Sequence, residues 1–121
     1  MRRWLQIVLL CALALSWVGC YYDVEEELYP NGCNTTDISY TQNIVPIIEA
    51  NCLTCHDILS QNGNVVLDGY ENVKQYADSG ELLGTIRHEP GFSAMPQGTS
   101  KLPKCSIDRI QAWVDAGAPN N

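Results

Sequence analysis

Basic residues are scarce in this chain. Of its 121 residues only seven are Lys or Arg, against 14 Asp or Glu. Two of the seven, Arg2 and Arg3, lie at the start, so residues 20–121 keep five basic and 14 acidic residues, a net charge of −9. Because phosphate binding needs clustered Lys and Arg, this composition argues against a nucleic-acid partner. An acidic surface instead favours a basic or neutral protein partner.

Aromatic residues, internal repeats and long apolar runs are also few. Aromatics make up 8% of the chain, and no segment repeats, which argues against a solenoid or propeller. The longest apolar stretch, Leu5–Leu15, is too short to span a bilayer comfortably. The composition therefore indicates one small domain behind a leader. About a hundred residues give only a marginal core, so a large apolar cofactor would add burial that the chain lacks.

The start of the chain has the features of an export signal. Arg2 and Arg3 supply the positive region and Leu5–Leu15 the apolar region, so residues 1–19 are predicted to be a signal peptide. The end of this segment, Trp-Val-Gly-Cys, resembles a bacterial lipobox, in which Cys20 becomes the lipid-bearing first residue. We therefore expect an exported protein in the periplasm or at the cell surface, anchored to a bacterial membrane. The alternative is an ordinary signal peptide that leaves Cys20 as a free thiol or a disulfide partner.

An acidic segment separates the predicted anchor from the predicted domain. Four acids lie between Asp23 and Glu27, and Pro30-Asn31-Gly32 follows as a breaker. We interpret residues 20–37 as a solvated tether and residues 38–121 as the folded domain.

The most informative stretch is Cys52-Leu53-Thr54-Cys55-His56. The pattern C-x-x-C-H is the attachment signature of a c-type haem, in which both thiols bond to one porphyrin. With Cys52 and Cys55 bonded at one edge of the ring, His56 reaches the proximal axial position of the iron. A redox dithiol or a zinc site is the alternative interpretation. The first usually lies in a βαβ pattern that is missing here, and the second needs further ligands at short spacing.

Apolar periodicity and caps predict an all-α domain of four to five short helices with little or no strand. Predicted helices cover Tyr40–Asn51, an Asp68-capped segment to about Ala77, a segment capped by Ser79, and a segment from Ser106 to Gly117. Val65–Leu67 is either a short strand or cofactor lining. Phe92–Gly98 is predicted to be an extended loop, because Pro96 disfavours a helical Met95.

The order of these features resembles the class I c-type cytochromes over roughly residues 38–119. Within that class the chain is similar to small lipoprotein cytochromes of Bacteroidetes and Planctomycetes, in its sequence before and after the motif, in Ala-Met-Pro, and in Trp-Val-Asp-Ala-Gly-Ala. The resemblance implies a cytochrome c-like fold around one covalent haem c. It also implies that His56 is the proximal ligand, Met95 the distal ligand and Trp113 the aromatic residue where the first and last helices cross. The segment after His56 lacks the family's frequent Pro-Gly turn, so the carbonyl that orients the imidazole cannot be assigned from the sequence.

Three functions are compatible with the sequence. The first is an electron carrier rather than an enzyme, because an iron ligated by His56 and Met95 has no open position; it would exchange electrons with redox proteins. The second is a haem enzyme or gas sensor with a labile distal ligand, for which His88 and Glu89 are the few acid–base groups. The third is a non-haem lipoprotein that binds zinc or exchanges disulfides. His88 is also the second candidate for the distal ligand, although its place at a predicted helix end suits a charge that offsets the dipole.

Two of the six cysteines have no role in these assignments. Cys11 leaves with the leader, and Cys33 and Cys105 remain. Spare thiols outside the cytoplasm tend to be oxidised. Cys33 and Cys105 precede the first and last predicted helices, which are expected to pack together, so a disulfide between them is the prediction. The alternatives are two separate thiols, or a bond from one of them to an unlipidated Cys20.

Overall fold

The computed structural model describes residues 32–121. The predicted signal peptide, the predicted lipidation site Cys20 and most of the predicted tether therefore lie outside the described residues. No helix within residues 32–121 is long and apolar enough to cross a membrane.

The described residues form an all-α structure, as predicted, and contain no strand. Five α-helices follow one another in the chain: α1 Val45–Asn51, α2 Leu53–His56, α3 Tyr70–Asp78, α4 Glu81–Ile86 and α5 Lys104–Asp115. A π-helical turn, Tyr40–Ile44, leads into α1, and a 3-10 turn, Asn62–Asn64, lies between α2 and α3. Val65–Leu67 is extended but is not a strand, and no helix interrupts the predicted loop at Phe92–Gly98.

The single first helix predicted from the periodicity is divided in two. Pro46 lies in the first turn of α1 and has no backbone N–H, so it cannot continue a hydrogen-bond ladder from the preceding turn. The chain adapts with a π-helical turn, in which the Val45 N–H donates to the Tyr40 carbonyl five residues back. The apolar periodicity is kept across the change, because Ile44, Ile47 and Ile48 are all buried.

Two predicted helix caps are wrong by one residue. α3 is capped by Gly69, not by Asp68, and α4 by Gly80, not by Ser79. Both glycines have φ near +80° (87° and 80°), a region in which a side chain is strained, so the chain turns into each helix at the residue without a Cβ. Ser79 still contributes, since its hydroxyl accepts a hydrogen bond from the Glu81 amide at 3.3 Å.

The last helix begins at Lys104 rather than at the predicted Ser106, and Cys105 consequently lies inside it. Its end agrees with the prediction. The Gly117 N–H donates to the Val114 carbonyl at 2.9 Å and the Ala118 N–H to the Trp113 carbonyl at 2.9 Å, the two bonds of a Schellman motif. Gly117 supplies the left-handed conformation that this motif needs, with φ of 89°.

Trp113 joins the two ends of the domain. It is fully buried, and its ring lies 5.4 Å from that of Tyr40 in the π-helical turn. Tyr70 meets Tyr40 edge-on at 5.1 Å. The indole N–H donates to the Pro119 carbonyl at 2.9 Å and the Tyr70 hydroxyl to the Ala118 carbonyl at 2.8 Å, so each buried aromatic polar group has a partner. The first and last helical segments therefore pack on each other through aromatic rings.

A disulfide closes the same pair of segments. Cys33, ahead of the π-helical turn, is bonded to Cys105 in the first turn of α5, with a Cα–Cα distance of 5.4 Å. The bond spans 72 residues, so every described element except most of α5 lies within its loop. It constrains the unfolded chain over most of the domain.

We predict that replacing Cys33 and Cys105 together by Ser lowers the free energy of unfolding, by at most about 4 kcal/mol, the chain-entropy value for a loop of this length. Denaturant unfolding of the exported protein measures the effect. Reduction of the wild-type protein should lower its stability to that of the variant. Peptide mapping without reductant provides the decisive check, since two alkylated, unpaired thiols in protein from its native compartment would contradict the bond.

Candidate functional site

Two of the three motif residues, Cys55 and His56, lie in the short helix α2, and Cys52 is the residue that caps it. α1 ends at Asn51, and Cys52 leaves helical geometry before α2 begins. The Cys52 carbonyl accepts hydrogen bonds from the amides of Cys55 at 3.1 Å and His56 at 3.0 Å. These two backbone bonds place the three motif residues on one helical turn.

The ring of His56 is fixed through one of its two nitrogens. Nδ1 lies 3.3 Å from the Val65 carbonyl oxygen, which can only accept a hydrogen bond. Nδ1 therefore carries the proton, and Nε2 keeps its lone pair in the neutral ring. This is the tautomer that a metal-ligating histidine needs, with the second nitrogen held by a carbonyl. Val65 is thus the orienting residue that the sequence did not identify.

Val65 reaches His56 because the intervening loop turns back on itself. Asp57 begins the turn, and its carboxylate accepts hydrogen bonds from the amides of Leu59 and Ser60. Gly63 then has φ of 67°, and the Leu67 N–H donates to the His56 carbonyl at 2.7 Å. An Asp-centred turn and a left-handed glycine thus return the chain to His56. The polar run with its Gly was visible in the sequence, but the residue on which it closes was not.

The carboxylate of Asp57 is held in its charged form. The backbone hydrogen bond from Ser60 is the main cause, and it lowers the pKa of Asp57 below its ordinary value of 3.8. The turn beside His56 is therefore favoured at neutral pH. It loses this contribution only as the pH falls through the lowered pKa, where the carboxylate becomes protonated and accepts more weakly.

The two motif thiols are free, in contrast to Cys33 and Cys105. Cys55 is exposed, whereas Cys52 is half-buried, and burial raises the pKa of the Cys52 thiol to about 11. Redox dithiols work in the opposite way, because they lower the pKa of the attacking thiol. The surroundings of Cys52 therefore favour the neutral, protonated thiol over the thiolate.

Met95 lies on the loop between α4 and α5 and is half-buried. Its N–H donates to the Thr85 carbonyl at 3.0 Å, and its carbonyl lies 3.0 Å from Nε2 of His88. Neither Met95 nor His88 hydrogen-bonds to His56. The two candidate axial ligands are thus held independently, His56 at the end of α2 and Met95 on the loop between α4 and α5.

Exposed apolar side chains cluster in sequence around these two candidates. Within the described residues the large exposed hydrophobics are Ile58 at 62% exposure, Leu59 at 88% and Phe92 at 40%. Ile58 and Leu59 follow His56 by two and three residues, and Phe92 precedes Met95 by three. A single exposed leucine or phenylalanine is common on a protein surface. Here, however, the exposed apolar side chains lie within three residues of each candidate ligand in the sequence.

No group of three or more His, Cys, Asp or Glu side chains in residues 32–121 is arranged to hold a metal ion. A haem iron does not require such a group, since the porphyrin supplies four of its ligands and the protein only the axial ones.

Comparisons of the chain with protein-family models, with curated proteins and with solved structures found no match.

Proposed function

We propose that this protein is a mono-haem c-type cytochrome that carries single electrons between redox partners. One observation supports the proposal above all others: the Val65 carbonyl holds Nδ1 of His56 and leaves Nε2 as the ligating nitrogen, next to two free thiols at haem-attachment spacing. The packing of Trp113 in the terminal helix on the segment before the motif also supports the proposal, because the resemblance to class I c-type cytochromes implies such a contact.

The residues present fit a covalently bound haem c. Cys52 and Cys55 would form the thioether bonds, His56 would be the proximal ligand and Met95 the distal one. The exposed apolar side chains near both ligands would contact the porphyrin or border it, which accounts for their exposure in the protein chain alone. Apart from Met1, Met95 is the only methionine in the sequence. When bound, the haem iron supplies a one-electron couple, and methionine ligation raises its potential.

The chain's own residues would control access to the iron. His56 and Met95 would fill both axial positions, so little else could bind, which favours an electron carrier over a haem enzyme or gas sensor. His88, the alternative distal ligand, has its Nε2 engaged with the Met95 carbonyl. This bond favours Met95 over His88 as the ligand.

The proposed setting is outside the cytoplasm, on a bacterial membrane. The leader and Cys20 would deliver and anchor the domain, and the acidic residues 20–37 would hold it away from the lipid surface. The net charge of −9 favours basic or neutral redox proteins as partners.

Haem attachment should need both motif thiols. We expect Cys52→Ala and Cys55→Ala to lose most covalent haem, and protein made without its leader to stay haem-free and poorly folded, because the haem is part of the core. A pyridine haemochrome spectrum on protein matured in a host with the haem-attachment system measures the loss. Thr54→Ala, an exposed position within the same motif, is the matched control and should keep its haem. Normal haem content in a double Cys52/Cys55 alanine variant would falsify the assignment.

Met95→Ala should give a high-spin or ligand-exchangeable iron with a lower potential, because a neutral thioether ligand is removed. His88→Ala should keep a low-spin resting spectrum. Absorption spectra and a redox titration distinguish the two variants. If Met95→Ala remains low-spin and unchanged, another residue is the distal ligand.

Electron transfer to a basic partner should slow as salt rises, since the field of the acidic domain is screened within about 8 Å at physiological ionic strength. Of the two lysines after the Met95 loop, Lys104 is paired with Asp108 at 2.5 Å, whereas Lys101 has no ion-pair partner among the described residues. Lys101→Gln removes this one positive charge from an acidic domain, so electron transfer to a basic partner should still slow as salt rises. Stopped-flow rates across a salt series provide the measurement, and rates that rise with salt would indicate a locally positive contact surface instead.

A further inference from the structure

We infer that His88 is a positioning residue that holds the Met95 backbone for iron ligation. The inference rests on the proposed function and goes beyond it, because His88 enters that function only as a rejected alternative ligand. The observations that carry it are the hydrogen bonds at the base of the loop from His88 to Met95.

Both backbone polar groups of Met95 are engaged. Its N–H donates to the Thr85 carbonyl at 3.0 Å, and its carbonyl lies 3.0 Å from Nε2 of His88. The Thr85 carbonyl also accepts from the His88 N–H at 3.1 Å, so it uses both of its lone pairs. The two ends of the loop thus meet at the last turn of α4. With N–H and carbonyl both fixed, the peptide planes on either side of Met95 are set, and with them the direction of its side chain.

The conformation of His88 itself agrees with this role. Its φ is 55°, in the left-handed region that costs a residue with a Cβ about 1 kcal/mol or more. A glycine would avoid the cost but would provide no donor. The side-chain bond to the Met95 carbonyl accounts for a histidine at a position whose backbone favours glycine or asparagine.

The loop has a second anchor next to this base. Phe92 packs on Gly84, where a Cβ would lie 2.6 Å from ring atoms of Phe92. The missing side chain at Gly84 therefore lets the Phe92 ring settle against α4. The Glu89 N–H also donates to the Gly84 carbonyl at 3.0 Å. These contacts hold the middle of the loop, while His88 holds the residue that would ligate the iron.

Substitutions at His88 can distinguish the loss of its side-chain N–H donor from a change in its backbone conformation. His88→Gln keeps an N–H donor of similar reach, whereas His88→Asn suits the left-handed backbone but is too short, and His88→Ala has no donor. Arg87→Ala is the control for general disturbance of the loop, since Arg87 contacts Glu89 and Gln111 but not Met95.

The measurement is competition by imidazole for the distal position of the haem-loaded protein, followed through the near-infrared band of methionine-ligated iron. One ordinary hydrogen bond corresponds to about a fivefold change in an equilibrium constant. The imidazole concentration at half-loss of the band should therefore fall about fivefold in His88→Ala and His88→Asn. It should remain at the wild-type value in His88→Gln and Arg87→Ala.

Amide exchange in the haem-loaded protein gives a second measurement that does not depend on the near-infrared band. The Met95 N–H should exchange faster in His88→Ala and His88→Asn than in wild type, and at the wild-type rate in His88→Gln. A wild-type protein that carries haem but lacks the near-infrared band would overturn Met95 as the ligand, and the positioning role with it. A wild-type band whose sensitivity to imidazole is the same in all four variants would overturn the role of His88 alone.

Discussion

The hydrogen bond between His56 and the Val65 carbonyl is the interaction on which the proposed site depends. The spacing of two thiols and an imidazole in the sequence does not determine which nitrogen of the histidine ring is free to bind a metal. The Val65 carbonyl determines this, because it accepts a hydrogen bond from the Nδ1–H group and so leaves Nε2 unprotonated in the neutral ring. The Asp57 turn returns the chain to His56, and the hydrogen bond from the Leu67 N–H to the His56 carbonyl fixes this arrangement. Loss of this loop would leave the motif intact and its imidazole free to rotate.

The scaffold behind the site is closed by interactions between the two ends of the domain. Tyr40 stacks against Trp113, and the Tyr40 N–H donates to the side-chain oxygen of Asn121 at 2.8 Å. The Cys33–Cys105 bond joins the same two segments. These contacts hold the π-helical turn and α5 together, and the motif follows the first of these two packed segments. Within the described residues no charged or polar side chain is buried, and the core therefore relies on apolar contacts and satisfied aromatic polar groups.

Sequence reasoning predicted the features that periodicity and motif chemistry determine. The all-α class, the loop around Met95 and the termination of α5 just before Gly117 follow from apolar spacing and from the positions of Gly and Pro. Helix starts were predicted less well, because a side-chain cap at Asp68 or Ser79 competes with a glycine one residue later that enters the left-handed region at no steric cost. Partners such as Val65 could not be predicted, since a long-range backbone carbonyl has no side-chain signature in a single sequence.

The two histidines of the described chain show how similar local contacts serve different roles. Each binds a carbonyl further along the chain, His56 to Val65 across nine residues and His88 to Met95 across seven. His56 uses Nδ1, the nitrogen nearer its backbone, and so presents the outer Nε2 to a ligand. His88 uses Nε2 and has only the inner nitrogen left, which lies close to its own main chain and is poorly placed to reach an iron. The ring nitrogen that each histidine uses to bind the protein thus distinguishes the proposed proximal ligand, His56, from the residue proposed to position the distal one, His88.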